Sequence, residues 1–116
     1  VSFNRYGGFN VWEPILLYGK TAKGKRLNRD VLEIGIVNGF GRKTLESSHP
    51  CPKQLKLMRR LVDIFSNEGD TVLDPFAGSG TNLRAAKDLG REFIGIEINP
   101  EYIELCEKRI SQEVLL

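Results

Sequence analysis

Apolar residues recur at three- and four-residue spacing in three stretches of the second half of the chain, with short β-prone runs between them. That spacing is typical of helices with one buried face, and the short runs are typical of strands. The predicted order is helix, strand, helix, strand, helix, at residues 53–66, 71–73, 81–89 and 91–98 and from Asn99 onward. It predicts a right-handed βαβ unit with a leading helix and parallel strands.

The last strand and helix of this unit carry the clearest local signals. The run from Phe93 to Ile96 has almost no polar residue, which predicts a strand covered on both faces, as in a parallel sheet. Asn99 is a good N-cap and Pro100 a good first helical residue. The apolar stripe predicted for this helix is Ile103, Cys106 and Ile110.

The first half of the chain shows no sustained period. Residues 1–10 are typical of a loop, whereas residues 12–18 favour a strand, with Pro14 at an edge or before a late start. Residues 20–43 read as a loop region with one short apolar run at 31–37. We therefore expect three parts, at residues 1–20, 21–47 and 48–116.

Composition limits the class of protein. The 116 residues are 41% hydrophobic and 28% charged, which is typical of one globular domain, and no stretch has the length of a membrane span. Without a signal segment the expected location is the cytoplasm. Cys51 and Cys106 are too few for a disulfide framework and are expected to be reduced, and the lone His49 cannot make a metal site. Because the chain begins with Val1, we expect a piece of a longer protein.

Charge is unevenly distributed. The net charge is +2, but residues 18–43 carry +5, which leaves −3 for the rest. A local excess of this kind points to an anionic partner, nucleic acid above all, with a solvated surface loop as the alternative.

The segment 74–81, with the sequence DPFAGSGT, joins a predicted strand to a predicted helix. Gly78 and Gly80 allow the backbone to approach a ligand closely, and the helix that follows directs unpaired N–H groups toward it. The turn therefore predicts a site for a polar or anionic ligand.

The spacing of the glycines, and of the next acidic residue, distinguishes between the classes of ligand that such a turn can bind. The turn lacks the Gly-Lys-Ser/Thr ending of a phosphate-binding loop, and Leu83 stands where a dinucleotide fingerprint needs its third glycine. Glu97, seventeen positions after Gly80, ends the next strand, where a carboxylate can accept both hydroxyls of a ribose. These residues predict a ligand that contains a ribose.

Residues 48–110 resemble the DNA methyltransferases that methylate N6 of adenine or N4 of cytosine. The stretch HPCPK from His49 is similar to their motif X, DPFAGSGT to motif I, and GIEIN with Tyr102 to motif II. Their order here is that of the beta class. The resemblance implies an α/β, partial Rossmann-like methyltransferase fold that binds S-adenosylmethionine (SAM), with an incomplete, mostly parallel sheet and flanking helices.

The resemblance also implies roles for individual residues. Asp74, Phe76, Gly78 and Gly80 would frame SAM, while Ser79 and Thr81 would hydrogen-bond its amino-acid end and Glu97 would hold its ribose. His49 and Lys53 would approach the methionine carboxylate. The alternatives are a locally bonded turn residue for His49 and a solvated lysine for Lys53.

The N-terminal part fits the family less specifically. Residues 12–20 look like its motif VIII strand, and the basic stretch stands where the target-recognition segment belongs. The resemblance therefore implies double-stranded DNA as a partner. A flipped base would stack on Phe9 or Trp12, although core packing is the alternative for an aromatic residue. The expected basic contacts are Lys20, Lys23, Lys25, Arg26 and Arg29.

The family's catalytic loop, an Asp/Asn/Ser-Pro-Pro-aromatic sequence, does not occur in this chain. In the permuted order it would lie upstream of Val1. We therefore expect the C-terminal, cofactor-binding part of a bacterial or phage-encoded restriction-modification methyltransferase that cannot methylate alone. The strand at 71–74 would have an open edge, covered by the missing half or by a second copy. The alternatives are a non-catalytic SAM- or DNA-binding module and, more weakly, a methyltransferase that acts on RNA or protein.

Overall fold

The computed structural model describes residues 14–22, 24–25 and 53–112. Their elements are α1 (Leu55–Phe65), β1 (Thr71–Asp74), α2 (Thr81–Asp88), β2 (Glu92–Gly95) and α3 (Pro100–Ser111). β1 and β2 pair in parallel, from Thr71 opposite Glu92 to Asp74 opposite Gly95. The predicted order of elements and the parallel pairing are confirmed.

β2 is shorter than the predicted strand at 91–98, because its only described partner, β1, ends at Asp74. The chain after β2 nevertheless stays against the turn that follows β1. Ile96 donates its N–H to the Asp74 carbonyl (2.9 Å), and its own carbonyl accepts the N–H of Ala77 (2.9 Å). The carboxyl ends of both strands are thereby held side by side.

Two small apolar clusters join the helices to one face of this sheet. Met58, Val62 and Ala85 pack with Val72 of β1, and a second cluster around Leu83 includes Phe93 of β2. Because alternate residues of a strand point to opposite faces, Val72 and Phe93 define the face that the helices cover.

The opposite face of the sheet is exposed, so the prediction of coverage on both faces is wrong for the described residues. Leu73, Ile94 and Ile96 are 60%, 55% and 58% exposed. The helices that the structure describes all pack on the Val72 side, which leaves these three side chains uncovered. On α3, Ile103 is also exposed, whereas Cys106 is buried and Ile110 is partly buried.

The strand predicted at 12–18 is not formed over its described part. Residues 14–18 are irregular, and Leu16 and Tyr18 are almost fully exposed. A strand requires a hydrogen-bonded neighbour, and the described sheet contains β1 and β2 alone. The predicted loop at 1–10 and apolar run at 31–37 lie outside the described residues, so the proposed division of the chain stays a prediction.

Polar contacts fix α2 against its neighbours. Asp88, whose side chain is 3% exposed, accepts hydrogen bonds from Arg84 Nε (2.7 Å) and from Arg59 Nε of α1 (2.8 Å). Arg84 Nη1 also donates to the carbonyl of Arg109 (2.8 Å), and Lys87 Nζ donates to that of Ile110 (2.6 Å). These donors satisfy carbonyls of the last turn of α3, which a helix leaves unpaired.

The start of α3 follows the predicted N-cap. Asn99 Oδ1 accepts the N–H of Glu101 (2.9 Å), and Pro100 is the first helical residue. In the ranges that the structure describes, no helix has the length and apolar character needed to cross a membrane.

Candidate functional site

The turn between β1 and α2 depends on its two glycines. Gly78 and Gly80 have positive φ values of 52° and 77°, a conformation that side-chain-bearing residues rarely adopt. A Cβ added to Gly80 would also lie 2.4 Å from the Sγ of Cys106 on α3. Gly80 therefore permits both the turn and the close approach of α3.

Glu97 connects this turn to the segment after β2. Its Oε2 accepts the N–H of Gly78 (2.8 Å), and its Oε1 accepts the N–H of Asn99 (2.8 Å). Charge-assisted hydrogen bonds of this kind are stronger than neutral ones. The carboxylate thus holds the motif I-like and motif II-like segments together at the carboxyl edge of the sheet.

Asp74 shapes the first part of the turn. Its Oδ1 accepts the N–H of Phe76 (3.1 Å), and its Oδ2 accepts the side-chain amide of Asn82 (2.8 Å). Phe76 itself is 87% exposed beside the turn. Asn82 is not among the residues predicted from the sequence, although a side-chain amide one residue into a helix that follows an aspartate turn is a usable signal.

Ser79 and Thr81 are both buried, at 6% exposure. Arg109 of α3 donates from Nη1 to Ser79 Oγ (3.3 Å) and to Thr81 Oγ1. Arg109 is likewise not among the residues predicted from the sequence. The available signal was its position three residues after Cys106, which places both on one side of the predicted helix.

Cys106 fits the expected structural role. Burial raises the pKa of its thiol, which keeps the group protonated and unreactive at neutral pH. Cys51 lies outside the described residues. Among the described residues, no cluster of three or more His, Cys, Asp or Glu is arranged to hold a metal ion.

The structure gathers most of the expected SAM-binding residues at one place. Asp74, Gly78, Ser79, Gly80, Thr81 and Glu97 surround the turn, with Phe76 exposed beside it. Lys53 lies exposed two residues before α1, and His49 falls outside the described residues. A surface depression lined by Glu101, Tyr102, Glu104, Leu105 and Lys108 lies on α3 rather than at the turn.

Two of the expected DNA contacts can be described. Lys20 is exposed. Lys25 instead donates from Nζ to Asp63 Oδ1 (2.8 Å), and this hydrogen bond holds the pKa of Asp63 below its usual value. Ala22 also donates its N–H to the carbonyl of Ile64 (3.0 Å), which attaches the segment to the end of α1. Phe9, Trp12, Lys23, Arg26 and Arg29 lie outside the described residues.

Comparisons with known proteins identify the family to which this chain belongs. A family model for N6- and N4-methyltransferases, described as DNA methylase, matches residues 3–108. The DNA adenine methyltransferase YhdJ of Escherichia coli (strain K12) is 33% identical in an alignment 133 residues long that covers 88% of this chain and 45% of the relative. The type II methyltransferase M.HpaI of Haemophilus parainfluenzae is 51% identical over 65 residues, 56% of this chain and 21% of the relative.

A solved structure gives the same result for the fold. The crystal structure of the M1.HpyAVI–SAM complex matches with a TM-score of 0.56 and 47% identity, over 60% of this chain and 34% of that one. The chain therefore spans less than half the length of the proteins it matches. The predicted fold, a partial Rossmann-like methyltransferase fold, is confirmed.

Proposed function

This chain belongs to the N6- and N4-methylating DNA methylase family, and from that premise we propose that it forms the SAM-binding part of a DNA methyltransferase. The reaction is methyl transfer to the exocyclic amine of adenine (N6) or cytosine (N4). One observation carries the proposal: Glu97, two residues after β2, accepts a hydrogen bond from the Gly78 amide in the turn after β1 (2.8 Å). The glycine turn and the carboxylate expected to hold the ribose thus lie next to each other, as a nucleoside-type cofactor site requires.

The residues at the turn suit the parts of SAM. A carboxylate has about four acceptor positions on its two oxygens, so Glu97 can hold the Gly78 and Asn99 amides and still accept ribose hydroxyls. The hydroxyls of Ser79 and Thr81, at the start of α2, can donate to the carboxylate of the amino-acid end. Likeness to a protein whose crystal structure is a SAM complex supports this assignment.

Bound SAM supplies a sulfonium methyl group that a nucleophilic amine can attack. The residues of this chain bind and orient the cofactor. No Pro-Pro sequence occurs among the 116 residues, so the polar and aromatic side chains that would receive the target amine must come from outside this chain. We assign this chain no methylation activity by itself.

Double-stranded DNA is the proposed substrate. The +5 charge of residues 18–43 supports it, because contacts of Lys and Arg with phosphates supply much of the affinity for DNA. Lys20, Lys23, Arg26 and Arg29 are the proposed phosphate contacts, while Lys25 is already engaged by Asp63. Phe9 or Trp12 would stack on the flipped base.

Both named relatives come from bacteria, and we propose the bacterial cytoplasm as the site of action.

A further protein segment is the proposed partner of the sheet. Glu92 and Ile96 donate their N–H groups to the carbonyls of Asp70 and Asp74. The backbone groups of the even-numbered residues in this stretch therefore point toward β2. Thr71 and Leu73 therefore direct their amides to the other edge, which no described strand occupies. The catalytic half of a longer chain, or a second copy of this one, would cover this edge together with the exposed face formed by Leu73, Ile94 and Ile96.

Calorimetric titration with SAM tests the cofactor assignment. We expect the chain to bind one equivalent, and Glu97→Gln to weaken binding by about 10- to 100-fold, because a hydrogen bond to a charged group contributes about 1.5–3 kcal/mol. Glu104→Gln is the matched control, since Glu104 is an exposed glutamate paired with Lys108 on α3. Absence of SAM binding, or equal affinities for the two variants, would contradict the proposal.

A further inference from the structure

Arg109 is the charged side chain that α3 presents to the glycine turn. Its Nη1 donates to Ser79 Oγ at 3.3 Å and also to Thr81 Oγ1. Both hydroxyls are buried at the start of α2. A guanidinium group at a helix N-terminus is unfavourable in itself, because this end of a helix already carries partial positive charge. Its location there points to a use for the added positive charge.

The approach of α3 to the turn explains how Arg109 reaches these hydroxyls. Cys106 packs directly against Gly80, where a Cβ would have only 2.4 Å to the sulfur. Arg109 follows three residues later and so lies on the same side of the helix, almost one turn further along. The absence of a side chain at Gly80 thus sets the distance between Arg109 and the turn.

The backbone of Arg109 is also held in place. Its carbonyl accepts a hydrogen bond from Arg84 Nη1 (2.8 Å), and the next carbonyl, of Ile110, accepts one from Lys87 Nζ (2.6 Å). Both donors come from α2, the helix that directly follows the glycine turn. Arg109, Ser79 and Thr81 therefore belong to one connected unit.

Hydrogen-bond chemistry fixes the direction of these contacts. Arginine only donates, and a hydroxyl has one hydrogen to donate and two lone pairs that accept. In their contacts with Arg109 the oxygens of Ser79 and Thr81 are therefore acceptors, and the hydrogen of each hydroxyl is not used in them. It remains for an acceptor elsewhere, which a ligand carboxylate would supply.

We propose that Arg109 is a positioning residue that makes the Ser79 and Thr81 hydroxyls donors toward the carboxylate of the cofactor's amino-acid end. The inference rests on the proposed function. It specifies which part of SAM the residue serves. Arg109 then contributes to the affinity for SAM and not to the affinity for a ligand that has the same adenosine moiety without the amino-acid end.

The test compares two ligands on the same chain. SAM and 5′-methylthioadenosine, which lacks the amino-acid end, are titrated calorimetrically into the chain and into Arg109→Met. We expect Arg109→Met to weaken SAM binding by about 10- to 100-fold and 5′-methylthioadenosine binding by less than about twofold. Arg109→Lys keeps the positive charge but lacks the planar guanidinium group, so it should bind SAM more tightly than Arg109→Met and less tightly than the unaltered chain.

Two controls separate positioning from general damage. Lys108→Met removes a neighbouring charge of α3 whose side chain is 65% exposed, and it should change neither affinity. In Ser79→Ala/Thr81→Val, adding Arg109→Met should cause little further loss of SAM affinity, since the hydroxyls through which Arg109 acts are absent. This second comparison uses no assumption about the size of the single-variant effect.

The outcomes are distinct. Equal losses for the two ligands in Arg109→Met would overturn the inference, because they would show a purely structural role. Unchanged SAM affinity, or full additivity with the hydroxyl variant, would overturn it as well. If the unaltered chain bound 5′-methylthioadenosine but not SAM, the inference would fail while a nucleoside site remained. If it bound neither ligand, the proposed function would fail, and the inference with it.

Discussion

Gly80 meets two separate requirements at the start of α2. Its φ of +77° lies in the left-handed region, and its missing side chain leaves room for Cys106. Gly69 provides a comparison within the same molecule. It has a similar φ of +82°, but a Cβ there would have no neighbour within 4 Å. The two positions therefore share the conformational requirement and differ in packing.

Alanine substitution at these two glycines should separate the cost of the left-handed conformation from the cost of the steric clash with α3. Gly69→Ala should lower the free energy of unfolding by about 1–2 kcal/mol, the cost of a side chain in the left-handed region. Gly80→Ala should cost more, about 3 kcal/mol or above, because α3 must also move. Urea unfolding monitored by circular dichroism measures both. Equal losses would contradict the packing argument.

Residues of the site differ in how far the sequence predicted them. The glycine turn and Glu97 follow from local pattern, because the strand, turn and helix signals fall in consecutive residues. Arg109 and Asn82 do not, since their contacts with Thr81 and Asp74 depend on side-chain direction and on how closely α3 approaches α2. The pairing of Lys25 with Asp63 depends likewise on a fold contact across 38 positions of the chain.

Among the elements, helices were predicted more closely than strands. The helix ends differ from the predicted ones by two residues at the start of α1 and by at most one elsewhere, which is within the usual uncertainty. The prediction of a strand at 12–18 was wrong over its described part, and so was the prediction that both faces of β2 are covered. An apolar run shows that a segment is suited to burial, but the covering element decides whether it is buried, and the described part of the chain has none on that face.

The edge of β1 that no described strand pairs should cause self-association when the chain is isolated. We expect sedimentation velocity to show a species larger than the monomer as concentration rises. We also expect the Leu73 amide to exchange with solvent faster than the Val72 amide in the monomer and to become protected on association. Leu73→Glu should prevent association by placing a charge on the exposed face of the sheet.

Ile103→Glu is the control for this experiment, because Ile103 is an exposed apolar residue on α3, away from the sheet face. It should leave association unchanged. A monodisperse monomer in which Leu73 is as well protected as Val72 would show that this chain covers the edge by itself, and the proposed partner would then be unnecessary.

At the scale of the whole molecule, the described part is one layer of helices on one face of a two-stranded parallel sheet. The glycine turn and Glu97 lie at the carboxyl edge of that sheet, which is where open α/β sheets bind ligands. The family match over residues 3–108 and the alignment with less than half of its relatives agree with this picture. These observations support the proposal that this chain is the cofactor-binding part of a methyltransferase.

An amide NMR titration of the labelled chain with SAM tests this account most directly, because it locates the cofactor as well as detecting it. We predict saturable shifts at one equivalent for the amides of Gly78 and Asn99, which donate to the Glu97 carboxylate, and for those of Ser79 and Gly80 in the same turn. No shifts at saturating SAM, or shifts confined to the α3 depression lined by Glu101, Leu105 and Lys108, would contradict it.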